Sequence, residues 1–241
     1  YLLITPVGES LEGIKGFTFW CQKNRLPVDK TAYEYIKTLN KYSKFKKNGF
    51  IDGTFKLKNT FDKIFVDKLY YLDFYSIERF GKTKLGQLLL YAKQSQNRLL
   101  IKELSVNIKD KIAFLIERHR IDGICFVPPT VKREIQFMKE LENNLNLQLR
   151  KMGIVKIKTD IIVAQKTLSK LVDRVENAKG TFFVEEKEKF NNVLLIDDAV
   201  GSGSTMNEIA RKIKEKQIIN GKIYGIAITG SFKGFDVISE V

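Results

Sequence analysis

Hydrophobic and polar positions change rhythm along this chain, and the changes mark out its elements. Between residues 54 and 75 Phe, Tyr, Ile and Val recur in rough alternation with polar residues, as in "DKIFVDKLYYLDFY". That pattern predicts strand structure. From Gly81 to about Arg98 the spacing shifts to three and four, with Leu85, Leu88, Leu89 and Ala92 on one face, which predicts a helix. A second helix is expected from Val106 to Arg118. Beyond it, short β-branched runs alternate with helical stretches. "IDGICFVPP" (121–129) reads as a strand stopped by two prolines, and residues 131–149 as a helix with Ile135, Met138, Leu141 and Leu145 on one side. "GIVKIKTDIIV" (153–163) holds a strand, "NVLLI" (192–196) a buried strand, residues 204–217 a helix and "KIYGIAITG" (222–230) a further strand.

Strands that alternate with helices imply βαβ units, hence a mostly parallel sheet with helices on its faces. Residues 100–241 are therefore expected to form an α/β domain, with 193–196 as an interior strand. Residues 1 to about 75 read as a less legible extension with strand-rich content.

Composition narrows the class. The chain has 241 residues, 44% of them hydrophobic, so it can bury a core and is not globally disordered. Its net charge is +14, and residues 1–100 alone hold 18 basic and 9 acidic side chains. A basic surface of that kind attracts phosphorylated metabolites, nucleic acid or acidic lipid; a lysine-rich background composition is the plainer explanation. The two cysteines, Cys21 and Cys125, lie far apart, which argues against a zinc site or a disulfide framework and for a reduced, cytoplasmic chain. The apolar runs are too short to span a bilayer, so no membrane partner is expected.

The candidate chemistry lies in "NNVLLIDDAVGSGSTMNEIARKIK" (191–214). Here an apolar strand runs into Asp197 and Asp198, then a Gly-Ser loop, then a helix. Open α/β sheets bind ligands beyond the carboxyl ends of their strands. Two adjacent carboxylates are costly to bury, so they are expected to face one solvated crevice, where hydroxyls or a cation can meet them. The glycines of the loop let successive N–H groups converge on an anion, and the helix start adds partial positive charge. Gly201, Ser202, Gly203, Ser204 and Thr205 thus form a candidate phosphate cradle beside a diol or metal site. A ribose 5-phosphate is complementary to it. The plainer reading is an acid pair that ends a strand and an ordinary helix cap. The segment is neither a Walker A loop nor a dinucleotide fingerprint, since it lacks the Lys of the one and the third Gly of the other.

"VLLIDDAVGSGST" resembles the phosphoribosyl-pyrophosphate (PRPP) motif of type I phosphoribosyltransferases. Two positions depart from it. Ala199 stands where a larger aliphatic is usual. Gly201 stands where Thr is common and where purine-salvage members carry an Asp that assists the base. A second segment, "QKTLSKLVDRVENAKGTFFV" (165–184), is similar to the ComF branch at Gln165, Leu168, Ser169, Arg174, Asn177, Gly180 and Phe182. "FVPPTVKREIQF" and "ERFGKTKLGQLLLYAK", which includes Lys93, resemble the same branch. The four-cysteine zinc module usual in ComF proteins is lacking. The resemblance covers roughly 78–241 and leaves 1–77 as a basic extension or small subdomain.

The resemblance implies a phosphoribosyltransferase-type α/β fold and transfer of a 5-phosphoribosyl group from PRPP to a nitrogenous base, with Mg²⁺ as cofactor. In that scheme Gly201–Thr205 hold the 5-phosphate. Asp197 and Asp198 hold the ribose hydroxyls or metal-bound water. Arg174 acts from the mobile hood, and Thr130, Lys132 and Arg133 face the pyrophosphate. Two rivals remain: a non-catalytic competence or DNA-uptake protein that binds single-stranded DNA, and a PRPP-sensing regulator. The acceptor base and the oligomeric state stay open, a homodimer included. His119 reads as a surface residue near a helix end, and Trp20 as part of a core.

Overall fold

The computed structural model describes residues 1–5, 7–129, 133–156 and 182–232. In chain order its elements are strands Leu2–Ile4 (β1) and Ser10–Glu12 (β2), helices Gly13–Lys23 (α1) and Val28–Ser43 (α2), strands Lys46–Lys47 (β3) and Phe50–Asp52 (β4), helix Thr54–Thr60 (α3) and strand Lys68–Phe74 (β5). Helices Lys84–Gln94 (α4) and Arg98–His119 (α5) follow, then strand Gly123–Phe126 (β6), helix Phe137–Leu145 (α6) and strands Arg150–Lys151 (β7), Ile154–Lys156 (β8) and Phe182–Val184 (β9). Strand Val193–Val200 (β10), helix Ser204–Glu215 (α7) and strand Ile223–Gly230 (β11) complete the order.

Seven strands form one sheet in the order β3-β4-β5-β11-β10-β6-β7. From β5 to β7 every neighbouring pair is parallel, and β3, β4 and β5 are joined antiparallel. The expected α/β architecture with a mostly parallel sheet is therefore present, and 193–196 lies in an interior strand. The sheet also takes three strands from before residue 77: β5 pairs with β11 from Tyr224↔Lys68 to Gly230↔Phe74.

Alternating side chains assign the two faces. Leu194, Ile196, Ile226 and Ile228 pack with Leu88, Leu89, Ile101, Leu104 and Ile108 of α4 and α5. Val193, Leu195 and Ala227 pack with Met206, Ile209 and Ala210 of α7. Burying one such aliphatic side chain stabilises the fold by about 1.5–3 kcal/mol, so the sheet is held mainly by these two layers. Local signals agree with them. Thr83 Oγ1 accepts from the Gly86 N–H at 3.1 Å and starts α4. Asn97 Oδ1 accepts from the Leu99 N–H at 2.8 Å and starts α5, eight residues earlier than the pattern predicts.

Three expectations need correction. Residues 54–60 are helical rather than extended, because Asp52 Oδ1 accepts from the Thr54 N–H at 2.9 Å and turns the chain there. The first 75 residues hold the helices α1 and α2 as well as strands, because aromatics such as Phe17, Trp20 and Tyr35 meet Tyr1 and Phe80 in one cluster. The strand expected in 153–163 is described as Ile154–Lys156. It pairs antiparallel with β9 in a separate two-stranded sheet rather than joining the parallel one; the rest of that stretch lies outside the described residues.

Candidate functional site

The sheet has one point where neighbouring strands send the chain in opposite directions. From β6 it passes through α6 to β7 on one side, and from β10 through α7 to β11 on the other. Helices α6 and α7 lie on opposite faces. Sheets of this kind take ligands at such a point, beyond the carboxyl ends of the two strands, here β6 and β10. Asp197 and Asp198 lie near the carboxyl end of β10, which closes at Val200, and Gly201 to Ser204 follow it.

The strand runs on through Val200, so the two carboxylates leave opposite faces. Asp197 shares the face of Leu195 and Cys125, and Asp198 that of Ile196. Asp198 is reached from the α4 side and Asp197 from the Cys125 side at this end of the strand. Lys93 of α4, on the Ile196 side, is ion-paired with Asp198. Asp197 keeps some exposure but is packed closely enough for burial to raise its carboxyl well above the ordinary carboxylate range. The Asp198 charge raises it further, while the Asp198 N–H, donating to Asp197 Oδ1 at 2.8 Å, and Lys93 pull the other way.

The loop turns on Gly203, whose φ of +83° is a left-handed conformation that favours glycine. It caps α7, and the Asn207 N–H donates to its carbonyl at 2.9 Å. The first N–H groups of a helix have no partner within it; the first of α7, that of Ser204, donates to the Ser202 hydroxyl at 3.3 Å. Ser202 and Ser204 are buried, with hydroxyls 3.1 Å apart in a hydrogen bond to each other. A Cβ on Gly203 would overlap Leu57 Cδ2 of α3. The glycine therefore serves close packing of α3 as well as the turn. Beside it, the buried Lys56 donates from Nζ to the Ser231 carbonyl at 3.2 Å and to the Ser231 hydroxyl.

Of the residues expected around a pyrophosphate, Arg133 is described: it donates to the Lys93 carbonyl at the end of α4. Thr130, Lys132 and Arg174 lie outside the described residues, as do Gln165, Leu168, Ser169, Asn177 and Gly180. Phe182 is buried in β9. Sequence reasoning missed Lys56. Its only signal is a lysine in "TFKLKN", where helical spacing buries Leu57 but the rough alternation of the stretch suggests a strand.

His119 ends α5 as expected but is more than a surface residue. Its ring stacks on Tyr224 at 4.1 Å, and its Nε2 lies 2.9 Å from the Tyr70 hydroxyl. Trp20 packs among Tyr1, Phe17 and Phe80. Both cysteines are buried and unbridged. No helix among the described residues is long and apolar enough to cross a membrane.

No protein-family model matches the chain, and no curated protein matches its sequence. Among solved structures it is similar to a hypoxanthine phosphoribosyltransferase from Staphylococcus aureus, at 14% identity and a TM-score of 0.31 over 56% of this chain and 80% of that one. It is also similar to the adenine phosphoribosyltransferase from Leishmania tarentolae, at 13% identity and a TM-score of 0.33 over 66% of this chain and 90% of that one.

Proposed function

We propose that this protein binds a phosphorylated ribose compound, PRPP foremost, and transfers its 5-phosphoribosyl group to a nitrogenous base. One observation carries the reading: the acid pair and the Gly-Ser loop fall together at the point between β6 and β10 where the chain direction reverses. The N–H groups at the start of α7 suit a phosphate, and the carboxylates beside them suit ribose hydroxyls. In the reaction a base nitrogen attacks C1 of the ribose. The C1–O bond to pyrophosphate breaks, its electron pair leaves with pyrophosphate, and the surplus proton on nitrogen passes to solvent.

Among the described residues no three His, Cys, Asp or Glu side chains cluster to hold a metal. The donor set fits Mg²⁺ as a hydrated ion that is carried in by substrate oxygens and met by Asp197 or Asp198, the usual habit of that ion. Bound so, it would neutralise charge on the diphosphate leaving group. Loss of Lys93 from Asp198, or a shared contact, accompanies such binding in this reading.

Calorimetric titration with PRPP and Mg²⁺, followed by a screen of nucleobases for pyrophosphate release, tests the proposal. Saturable binding without release from any base would leave the regulator reading in its place. A separate observation favours a nucleic-acid partner: α2 carries exposed Lys30, Lys37 and Lys41, the last ion-paired with Glu78, and exposed Lys44 follows it, with exposed Tyr33 and Ile36 between them. Cations interleaved with an aromatic suit a single strand.

A further inference from the structure

A cation of the chain already sits on one of the two acids. Lys93, in the last turn of α4, is ion-paired through Nζ with Asp198 Oδ2, and both side chains stand largely out of water. Among the described residues no other ammonium or guanidinium is ion-paired with Asp197 or Asp198. The backbone that carries Lys93 is fixed. Leu88, Leu89 and Ala92 bury one face of α4 in the core layer beneath it. The Lys93 carbonyl accepts from the Arg133 guanidinium, and just beyond the helix the Ile135 N–H donates to Gln96 Oε1 at 2.8 Å. The ammonium, by contrast, hangs on a flexible four-carbon stem. Rotation of the side chain alone takes it off Asp198, with α4 and β10 unmoved.

A second cation cannot join the first cheaply. An ammonium in a charge-assisted hydrogen bond stands about 2.7–2.9 Å from its carboxylate oxygen, and Mg²⁺ stands about 2.0–2.1 Å from its own. On one carboxylate oxygen the two would lie within about 5 Å of each other, and at that separation like charges repel strongly in a site shielded from water. A divalent ion at Asp198 therefore competes with Lys93 for the same charge.

We propose that Lys93 is a built-in competitor for Asp198: its ammonium neutralises the carboxylate, and a divalent cation reaches that carboxylate only by displacing it. The inference deepens the proposed function and rests on its reading of Asp198 as facing the metal. Binding of the bare ion is then weak, and the site takes the ion together with substrate oxygens, whose added contacts offset the lost ion pair. Lys93 thus couples metal binding to substrate binding from an element outside the acid-pair motif.

Titration of bare Mn²⁺, followed through the spin-resonance signal of the free ion, tests this in the wild type, Lys93→Gln, Lys93→Met and Lys93→Arg, with thermal melts to establish that each is folded. Lys93→Gln keeps a hydrogen-bond donor toward Asp198 without the charge. It is expected to bind Mn²⁺ about tenfold more tightly than the wild type, Lys93→Met likewise, and Lys93→Arg no more tightly than the wild type. The gain is expected to vanish in Lys93→Gln/Asp198→Asn. A loss of packing alone would not strengthen binding of an ion. Affinity in a folded Lys93→Gln or Lys93→Met that is equal to or weaker than that of the wild type overturns the proposal, as does a gain that survives Asp198→Asn. PRPP with Mg²⁺ is titrated into the wild type in parallel. Failure to bind there removes the transferase reading, while the Mn²⁺ comparison, made without PRPP, decides the role of Lys93 separately.

Discussion

The ammonium of Lys93 on α4 is ion-paired with the carboxylate of Asp198 at the end of β10, across 105 residues of sequence. Their side chains are 20% and 14% exposed, so each stands largely out of water and relies on the other. Lys93→Met should therefore destabilise the protein by about 1–3 kcal/mol, since it leaves a partly buried acceptor unmet. Urea unfolding measures this. The double variant Lys93→Met/Asp198→Asn should recover most of the loss, and additive losses would show that the pair is not coupled.

Asp197 makes the opposite prediction for stability. Its carboxyl is raised by burial and by the Asp198 charge, so the folded state binds a proton that the unfolded chain has released. Stability from this group is full below its unfolded value, about pH 4, and is lost as pH rises through the folded value. Above pH 4 this group therefore weighs increasingly against folding as pH rises. Asp197→Asn should melt higher than the wild type at pH 7 and show a flatter decline of stability above pH 4. If the acid serves ribose hydroxyls, the same variant should bind PRPP more weakly. A variant both less stable and unimpaired in binding would contradict both halves.

Gly203 tests the packing of α3 on the loop. A side chain there meets Leu57 and must adopt a positive φ. Gly203→Val should cost several kcal/mol on both counts. Its effect is thus structural, and loss of phosphate binding in that variant alone would not identify a ligand site. Gly203→Ala combined with Leu57→Ala should relieve the overlap but not the backbone strain. Chemical unfolding of the two single variants and the double one should show that partial recovery.

The lysines of α2 give a prediction about partners. A short single-stranded oligonucleotide should bind at low salt and be released as salt rises. Lys37→Glu/Lys44→Glu should weaken it, while ribose 5-phosphate binding stays unchanged. Anisotropy titration at two salt concentrations measures both arms. Affinity that ignores salt and these charges would remove α2 as a nucleic-acid face.

Residues near one another in sequence were legible because their physics is local. The run 193–196 is apolar on both sides, the signature of an interior parallel strand, and the structure has it between β11 and β6. The helix at 204–215 follows a glycine that the turn requires, and its Met206, Ile209, Ala210 and Ile213 recur at helical spacing. Leu85, Leu88, Leu89 and Ala92 declare the buried face of α4 in the same way. The α/β class follows from such segments, since each can bury its apolar side only against the next.

What tertiary structure decided lies in pairings that no spacing announces. Strand β5 reaches the middle of the sheet because a crossover through α4 and α5 carries the chain past β11 and β10 to β6, and nothing in "KLYYLDF" names its neighbours. The opposite faces of Asp197 and Asp198 follow from how far β10 continues, which the pairing with β11 up to Val200↔Gly230 sets. Lys56 meets Ser231 across 175 residues. A lysine in a short stretch of mixed polarity reads as solvated until α3 is seen packed on Gly203. Hydrophobic periodicity reports which side of an element is buried, but the partner it is buried against is chosen by the closure of the whole chain, and that choice brings Lys93 to Asp198 and α3 to the loop.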